Sequence, residues 1–246
     1  ILPEETFVKA VCGDKFDVVT LIPPGSSPEN FEPSPKDMEM LSKAKIYFSI
    51  GVPTEKANIL PKLSKDIRLC SLNEAAAKVY PDLLQGEERD PHIWLSPKRV
   101  SVIIDKIAEE LIELDKENEK IYLDNAKAFK DELSKADLKI KETLAAKKSS
   151  VILTFHPAFN YFANEYGLEA VSIEKEGKEA TAAGIKEVID FAKSHGIKII
   201  FCQAEISSAQ VKAIAQEIGA EIIMLEPLSP NYIENLNIIA DAFANN

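Results

Sequence analysis

"ENEKIYLDNAKAFKDELSKADLKIKETLAA", residues 117–146, decides how this chain is built. Along it Tyr122, Ala126, Phe129, Leu133, Ala136 and Ile140 recur at alternating steps of four and three, with Leu144 four further on. That spacing returns every apolar side chain to one stripe of a helix, and the other faces are mostly Lys, Glu and Asp. About thirty residues rising 1.5 Å each make a rod of roughly 45 Å, longer than one small domain needs. The run is too short, and too closely flanked by strand-rich sequence, for a coiled coil. It reads as a helix spanning two lobes.

On either side, short apolar runs alternate with amphipathic ones. The strand candidates are "DVVTLI" (17–22), "KIYFSI" (45–50), "IRLCS" (67–71), "SVILTF" (150–155), "IKIIFC" (197–202) and "AEIIML" (220–225). They are rich in Ile and Val and mostly unbroken, as expected of parallel strands covered on both faces. Helical patterns lie between them at 34–43, 181–195, 207–218 and 231–244. From Ser96 to about Lys148 there is no strand signal; Ser96 then Pro97 reads as an N-cap with proline in the first turn, opening a helix to about Leu114. The expected fold is α/β: two doubly wound α/β lobes joined by a long rigid helix. The N-terminal lobe covers 1–114, the linking helix 115–148 and the C-terminal lobe 149–246.

Composition excludes several classes. Apolar residues are 46% and charged residues 28%, as in an ordinary globular protein. No apolar run approaches the ~20 residues of a membrane-spanning helix. The net charge of −11 argues against nucleic acid and anionic membranes as partners. Cys12, Cys70 and Cys202 are widely spaced and include no C-x-x-C pair, so neither a zinc knuckle nor a disulfide framework is expected. Cys70 and Cys202, in apolar runs, read as small buried hydrophobes.

Open α/β sheets bind ligands beyond the carboxyl ends of their strands. His156 and Pro157 follow "SVILTF", Glu226 and Pro227 follow "AEIIML", and Gln203, Ala204 and Glu205 follow "IKIIFC". A loop carrying Glu29 and Glu32 follows "DVVTLI", and "RDPHIWLSPKR" (89–99) holds His92 beside the only tryptophan, Trp94. Two of the three histidines and several carboxylates therefore fall on one expected rim. Imidazole with carboxylate is a ligand set for zinc, manganese or iron(II). His195, before Gly196 at an expected helix C-terminus, reads as a capping residue instead.

Four long segments appear in a distinctive order: "VKAVCGDKFDVVTLIPPGSSPENFEPSPKDMEMLSKAKIYFSIG" (8–51), "DPHIWLSP" (90–97), "TFHPAFNYFANEYGL" (154–168) and "LEPL" (225–228). With them the chain resembles, over nearly its whole length, the metal-binding substrate-binding proteins of ABC importers for zinc and manganese, the cluster A-I or ZnuA/TroA-like family. The resemblance implies a cleft in which four side chains hold one metal ion. His92 and His156 match ligating histidines. Glu226 stands where the family usually has an aspartate, and Glu29 where it usually has a histidine. Glu205 matches a glutamate beside the cleft, as a supporting residue or an alternative ligand. The His-rich acidic loop of many zinc-specific members is replaced by "PDLLQGEERD" (81–90). The family's first strand normally precedes the helix that here begins near Glu4, so the resemblance implies an N-terminal part outside this sequence.

The implied function is a monomeric extracytoplasmic solute-binding protein, not an enzyme. It would sit in the periplasm or be lipid-anchored at the cell surface, and deliver zinc or manganese, with iron(II) also accommodated, to an ABC permease. Two imidazoles and two carboxylates leave a +2 ion near neutral and lean toward harder ions than three imidazoles do. The long helix implies only small closure, with release through the loops bearing His156, Glu205 and Glu226. Two rivals remain at this level: a metallohydrolase with Glu205 as base, and a binding protein for a metal chelate.

Overall fold

The apolar stripe is buried along its whole length, from Tyr122 to Leu144, in one continuous helix spanning Glu119–Ala145. The computed structural model describes residues 1–147, 149–174, 180–203 and 209–246. It divides into two units, neither continuous in sequence. One comprises Ile1–Asp82, Ser96–Lys135 and Leu228–Tyr232; the other comprises Leu83–Leu95, Ala136–Pro227 and Ile233–Asn246. The long helix contributes residues to both.

The first unit holds α1 (Leu2–Cys12), α2 (Pro35–Leu41), β1 (Ile46–Ser49), β2 (Arg68–Ser71), α3 (Leu72–Ala77), α4 (Pro97–Leu114) and the start of α5, the long helix. β1 and β2 pair in parallel, Ile46 opposite Arg68 through Ser49 opposite Ser71. Leu21, Leu41, Ile59 and Ile67 form a buried cluster beside them. α4 begins as its sequence predicts: Ser96 Oγ accepts from the Arg99 N–H at 3.4 Å, and Pro97 fills the first helical position. Phe7 of α1 packs edge-on to Tyr232, with ring centroids 4.8 Å apart. One expected strand does not form. Residues 17–22 are extended or bent without a ladder partner among the described residues. Leu21 and Ile22 are buried all the same, while Val19 is exposed, so the apolar pattern marked the buried end of the run, and strand pairing needs a neighbour that pattern cannot supply.

The second unit opens with a small hairpin, β3 (Leu84–Gln85) and β4 (Glu88–Arg89). After α5 come β5 (Val151–Thr154), α6 (Asn160–Tyr166), β6 (Glu169–Ser172), α7 (Ala182–Ser194), β7 (Ile199–Gln203), α8 (Ala209–Ile218), β8 (Glu221–Leu225) and α9 (Tyr232–Ala244). The sheet is parallel throughout, in the order β6-β5-β7-β8. Leu153, Ile200 and Cys202 from its central strands, with Phe155 just past β5, pack with Val188 and Ala192 of α7 and Val211, Ile214 and Ile218 of α8. β6, "EAVS", carries too little apolar pattern to be read from sequence. It forms because Gly167, at φ 67° where a side chain would be strained, ends α6 and turns the chain back alongside β5. Among the described residues no helix is long and apolar enough to cross a membrane.

The packing generates two expectations. Ile140 is fully buried on α5, and Ile140→Ala should cost about 2–5 kcal/mol of stability in urea unfolding, whereas exposed Lys139→Ala should stay within about 0.5 kcal/mol. All three cysteines are free and buried. Burial pushes the Cys70 thiol up to about 12, the Cys202 thiol up to about 11, and Cys12 upward as well. A thiol reagent at neutral pH should therefore label none of them in the folded chain and all three after denaturation.

Candidate metal centre

The sheet of the second unit has its switch point between β5 and β7. From β5 the chain crosses outward to β6, then returns past β5 to reach β7. Ligands collect beyond the carboxyl ends of strands at such a point. His156 lies two residues past the end of β5. The parallel pairing continues beyond the regular strands, because the Ile173 N–H donates to Thr154 O and the Glu174 N–H to Phe155 O, both at 2.9 Å. That continuation sets Glu174 beside His156, whose Nδ1 lies 2.8 Å from Glu174 Oε2.

The second imidazole comes from the loop after β4. Asp90 is fully buried; its Oδ1 accepts the His92 backbone N–H at 2.9 Å and lies 2.8 Å from His92 Nδ1. Ile93–Leu95 then form a short turn of 3₁₀ helix, every residue of it buried. Trp94 Nε1–H donates to Pro227 O at 2.9 Å, and the Trp94 ring centroid is 5.1 Å from that of His92. The His92 and His156 rings meet edge to face, centroids 5.2 Å apart at 73°. One ring nitrogen of each lies within 4.8 Å of the other, and the residues are only 3% and 4% exposed. An ion whose bonds to nitrogen are about 2 Å can take both after small side-chain rotations.

Electrostatics fixes which nitrogen is offered. Burial works to raise the Asp90 carboxyl, but the hydrogen bonds and charge of His92, helped by Gln85, outweigh it and hold the group below the ordinary aspartate value. An ionised carboxylate can only accept, so the nitrogen facing it is the protonated one, and in the neutral ring Nε2 is the atom left with a lone pair for a ligand. Glu174 Oε2 meets His156 Nδ1 in the same geometry.

The other expected residues are placed as follows. Glu226 is exposed, one residue past β8, and its backbone carbonyl accepts from Asn235 Nδ2 at 2.8 Å. The neighbouring Pro227 is the residue that Trp94 holds. Glu29 belongs to the first unit and is half-buried. Its loop is braced on both sides: the Thr54 N–H donates to Pro28 O at 3.1 Å, while Thr54 Oγ1 and Asn58 Nδ2 donate to Phe31 O at 3.2 and 2.9 Å. Thr54 is held by a turn anchored on buried Glu55, which accepts from Tyr47, Ser49, Gly51 and Val52. Glu205 lies outside the described residues. His195 is exposed at the end of α7, stacked on Phe191 at 4.0 Å, as its capping role requires. Sequence reasoning missed Asp90 and Glu174. Asp90 could have been suspected from its place two residues before His92; Glu174 carries no local signal, since only strand pairing brings it to His156.

The whole chain, residues 1–246, matches the profile of the family described as "ZnuA: Zinc-uptake complex component A periplasmic". It is 29% identical to the high-affinity zinc uptake system protein ZnuA of Bacillus subtilis over 242 residues, covering 92% of this chain and 76% of that protein. Among solved structures, a crystal structure of ZnuA superposes with a TM-score of 0.93 at 34% identity, covering 99% of this chain and 95% of the other. The solute-binding protein FpvC from Pseudomonas aeruginosa, solved in complex with Mn2+, gives 0.83 at 27% identity over 98% and 93%. The fold is the one shared by solute-binding proteins of metal importers. The chain belongs to the zinc-uptake complex component A family, whose members are metal-binding transport components and not enzymes.

Proposed function

We propose that this protein captures one divalent transition metal ion, zinc or manganese, outside the cytoplasm and delivers it to the permease of an ABC importer. The observation that carries this reading is the buried pair His92 and His156, each with Nδ1 against a carboxylate. Neutral imidazoles offered through Nε2 select transition metals over calcium and magnesium, which prefer oxygen. The ion is the cargo. In this reading Glu29 and Glu226 supply the oxygen ligands. Glu29 has a loop braced on both sides of it. Glu226 is tied toward His92 through Pro227 and Trp94, and its exposed side chain is free to turn toward the ion. The names of the relatives support both metals: the Bacillus protein takes up zinc, and FpvC was solved with manganese and with nickel. Two carboxylates beside two imidazoles balance a +2 charge, which favours the bare ion over a bulky chelate. The protein acts as a monomer.

Titration calorimetry with zinc and manganese in competition checks the site. The chain should bind one ion in the nanomolar range, about −12 kcal/mol. His156→Ala should weaken that at least a hundredfold while keeping the circular dichroism spectrum; an unchanged affinity would move the site elsewhere. Trp94 offers an independent readout, because it is the only tryptophan and its ring lies against His92. Loading the ion should shift its fluorescence, and His92→Ala should abolish the shift.

A further inference from the structure

We propose that Asp90 is a positioning residue that sets both the tautomer of His92 and the spacing between the two imidazoles. The inference rests on the metal-capture reading above and deepens it. Asp90 uses its two oxygens on different parts of the site. Oδ1 takes the His92 backbone N–H and Nδ1. Oδ2 accepts Asn160 Nδ2 at 3.0 Å. Asn160 is the first residue of α6, four positions after His156. The buried carboxylate therefore ties the loop of one imidazole to the element that follows the other.

Two further bonds run the same way. Gln85 Nε2 donates to Pro157 O at 2.9 Å, directly after His156. The Leu83 N–H donates to Tyr161 Oη at 3.0 Å, next to Asn160. Asp90 itself is anchored to this strip, since its N–H donates to Leu83 O at 2.8 Å. Bonds from Leu83, Gln85 and Asp90 thus fasten the hairpin and the loop after it to the His156 segment, and Asp90 also touches an imidazole. Glu174 holds Nδ1 of His156, with no bond to the His92 loop among the described residues.

The chemistry calls for a carboxylate. Its donors on both sides need acceptors, and a carboxylate is acceptor-only on both oxygens. An amide offers one oxygen and one NH2, so an asparagine that keeps its oxygen on His92 turns an NH2 toward the Asn160 NH2, and that bond survives only if Asn160 flips its own amide. Removing the bridge leaves buried donors unpaired on the side that loses its acceptor.

The test uses the full chain, zinc alone as the probe, and the variants Asp90→Asn, Asn160→Ala, Glu174→Gln and His156→Ala. Zinc affinity is measured by competition calorimetry. Long-range proton–nitrogen spectra of the metal-free chain report the tautomer of each histidine, with exposed His195 as internal reference. Asp90→Asn should lower zinc affinity about 10–100-fold and disturb the fixed Nδ1-protonated pattern of His92. Asn160→Ala keeps the carboxylate on His92, so it should leave that tautomer intact and still lower affinity severalfold. Glu174→Gln should disturb His156 and leave the His92 signals in place. Should Asp90→Asn fail to fold, Asn160→Ala decides the spacing role and Glu174→Gln the independence of the two couples. Wild-type affinity and tautomer in Asp90→Asn, or wild-type affinity in Asn160→Ala, would overturn the proposal, provided His156→Ala still abolishes binding. Binding retained in His156→Ala would instead remove the capture reading on which it rests.

Discussion

A neutral imidazole can serve a cation only through the nitrogen that carries no proton, so the site depends on where each ring keeps its hydrogen. Two buried carboxylates decide this. Asp90 reaches His92 from two residues away in sequence, and Glu174 reaches His156 from eighteen. A buried carboxylate is costly unless donors surround it. Asp90 meets that condition with a backbone N–H, an imidazole and the Asn160 amide. The groups that hold the ring in place therefore also make the carboxylate tolerable in the interior, and neither half of the arrangement stands without the other.

The regular structure exists, in this light, to hold irregular backbone still. The parallel sheet ends at Thr154 and Ser172, but its ladder runs on through Ile173 and Glu174. That continued ladder fixes the backbone register at which His156 and Glu174 meet. In the first unit the same economy appears without a sheet. Glu55 gathers four donors, two from β1 and two from the turn after it, and Thr54 and Asn58 then hold the backbone on both sides of Glu29. Functional loops placed on rigid scaffolds are common. Here the scaffold's rigidity comes from charge satisfied inside the protein as much as from apolar packing.

The three histidines illustrate how environment sorts identical chemistry. His195 is exposed, stacked on Phe191 and within hydrogen-bond reach of the Phe191 carbonyl. It closes a helix. His92 and His156 are buried, face carboxylates and face each other. The cysteines are the converse case: potential metal ligands by type, they lie in apolar surroundings that keep them protonated and inert.

The period of the apolar residues told the α5 stripe, the N-cap at Ser96 and five of the six expected strands, because burial on one or both faces leaves its mark on every residue of an element. It also told which loops follow strand ends, and hence that His156 and Glu226 lie just past β5 and β8. It could not tell that 17–22 finds no ladder partner among the described residues or that "EAVS" finds one, since pairing joins segments whose own composition says nothing of each other. For the same reason Glu174 was invisible and Asp90 overlooked. By itself the sequence determined the long helix, most of the parallel strands, the fold class and the kinds of ligand atom on offer. Tertiary structure alone decided which carboxylate meets which imidazole, because a hydrogen bond at 2.8 Å depends on strand register and loop bracing that no local pattern encodes.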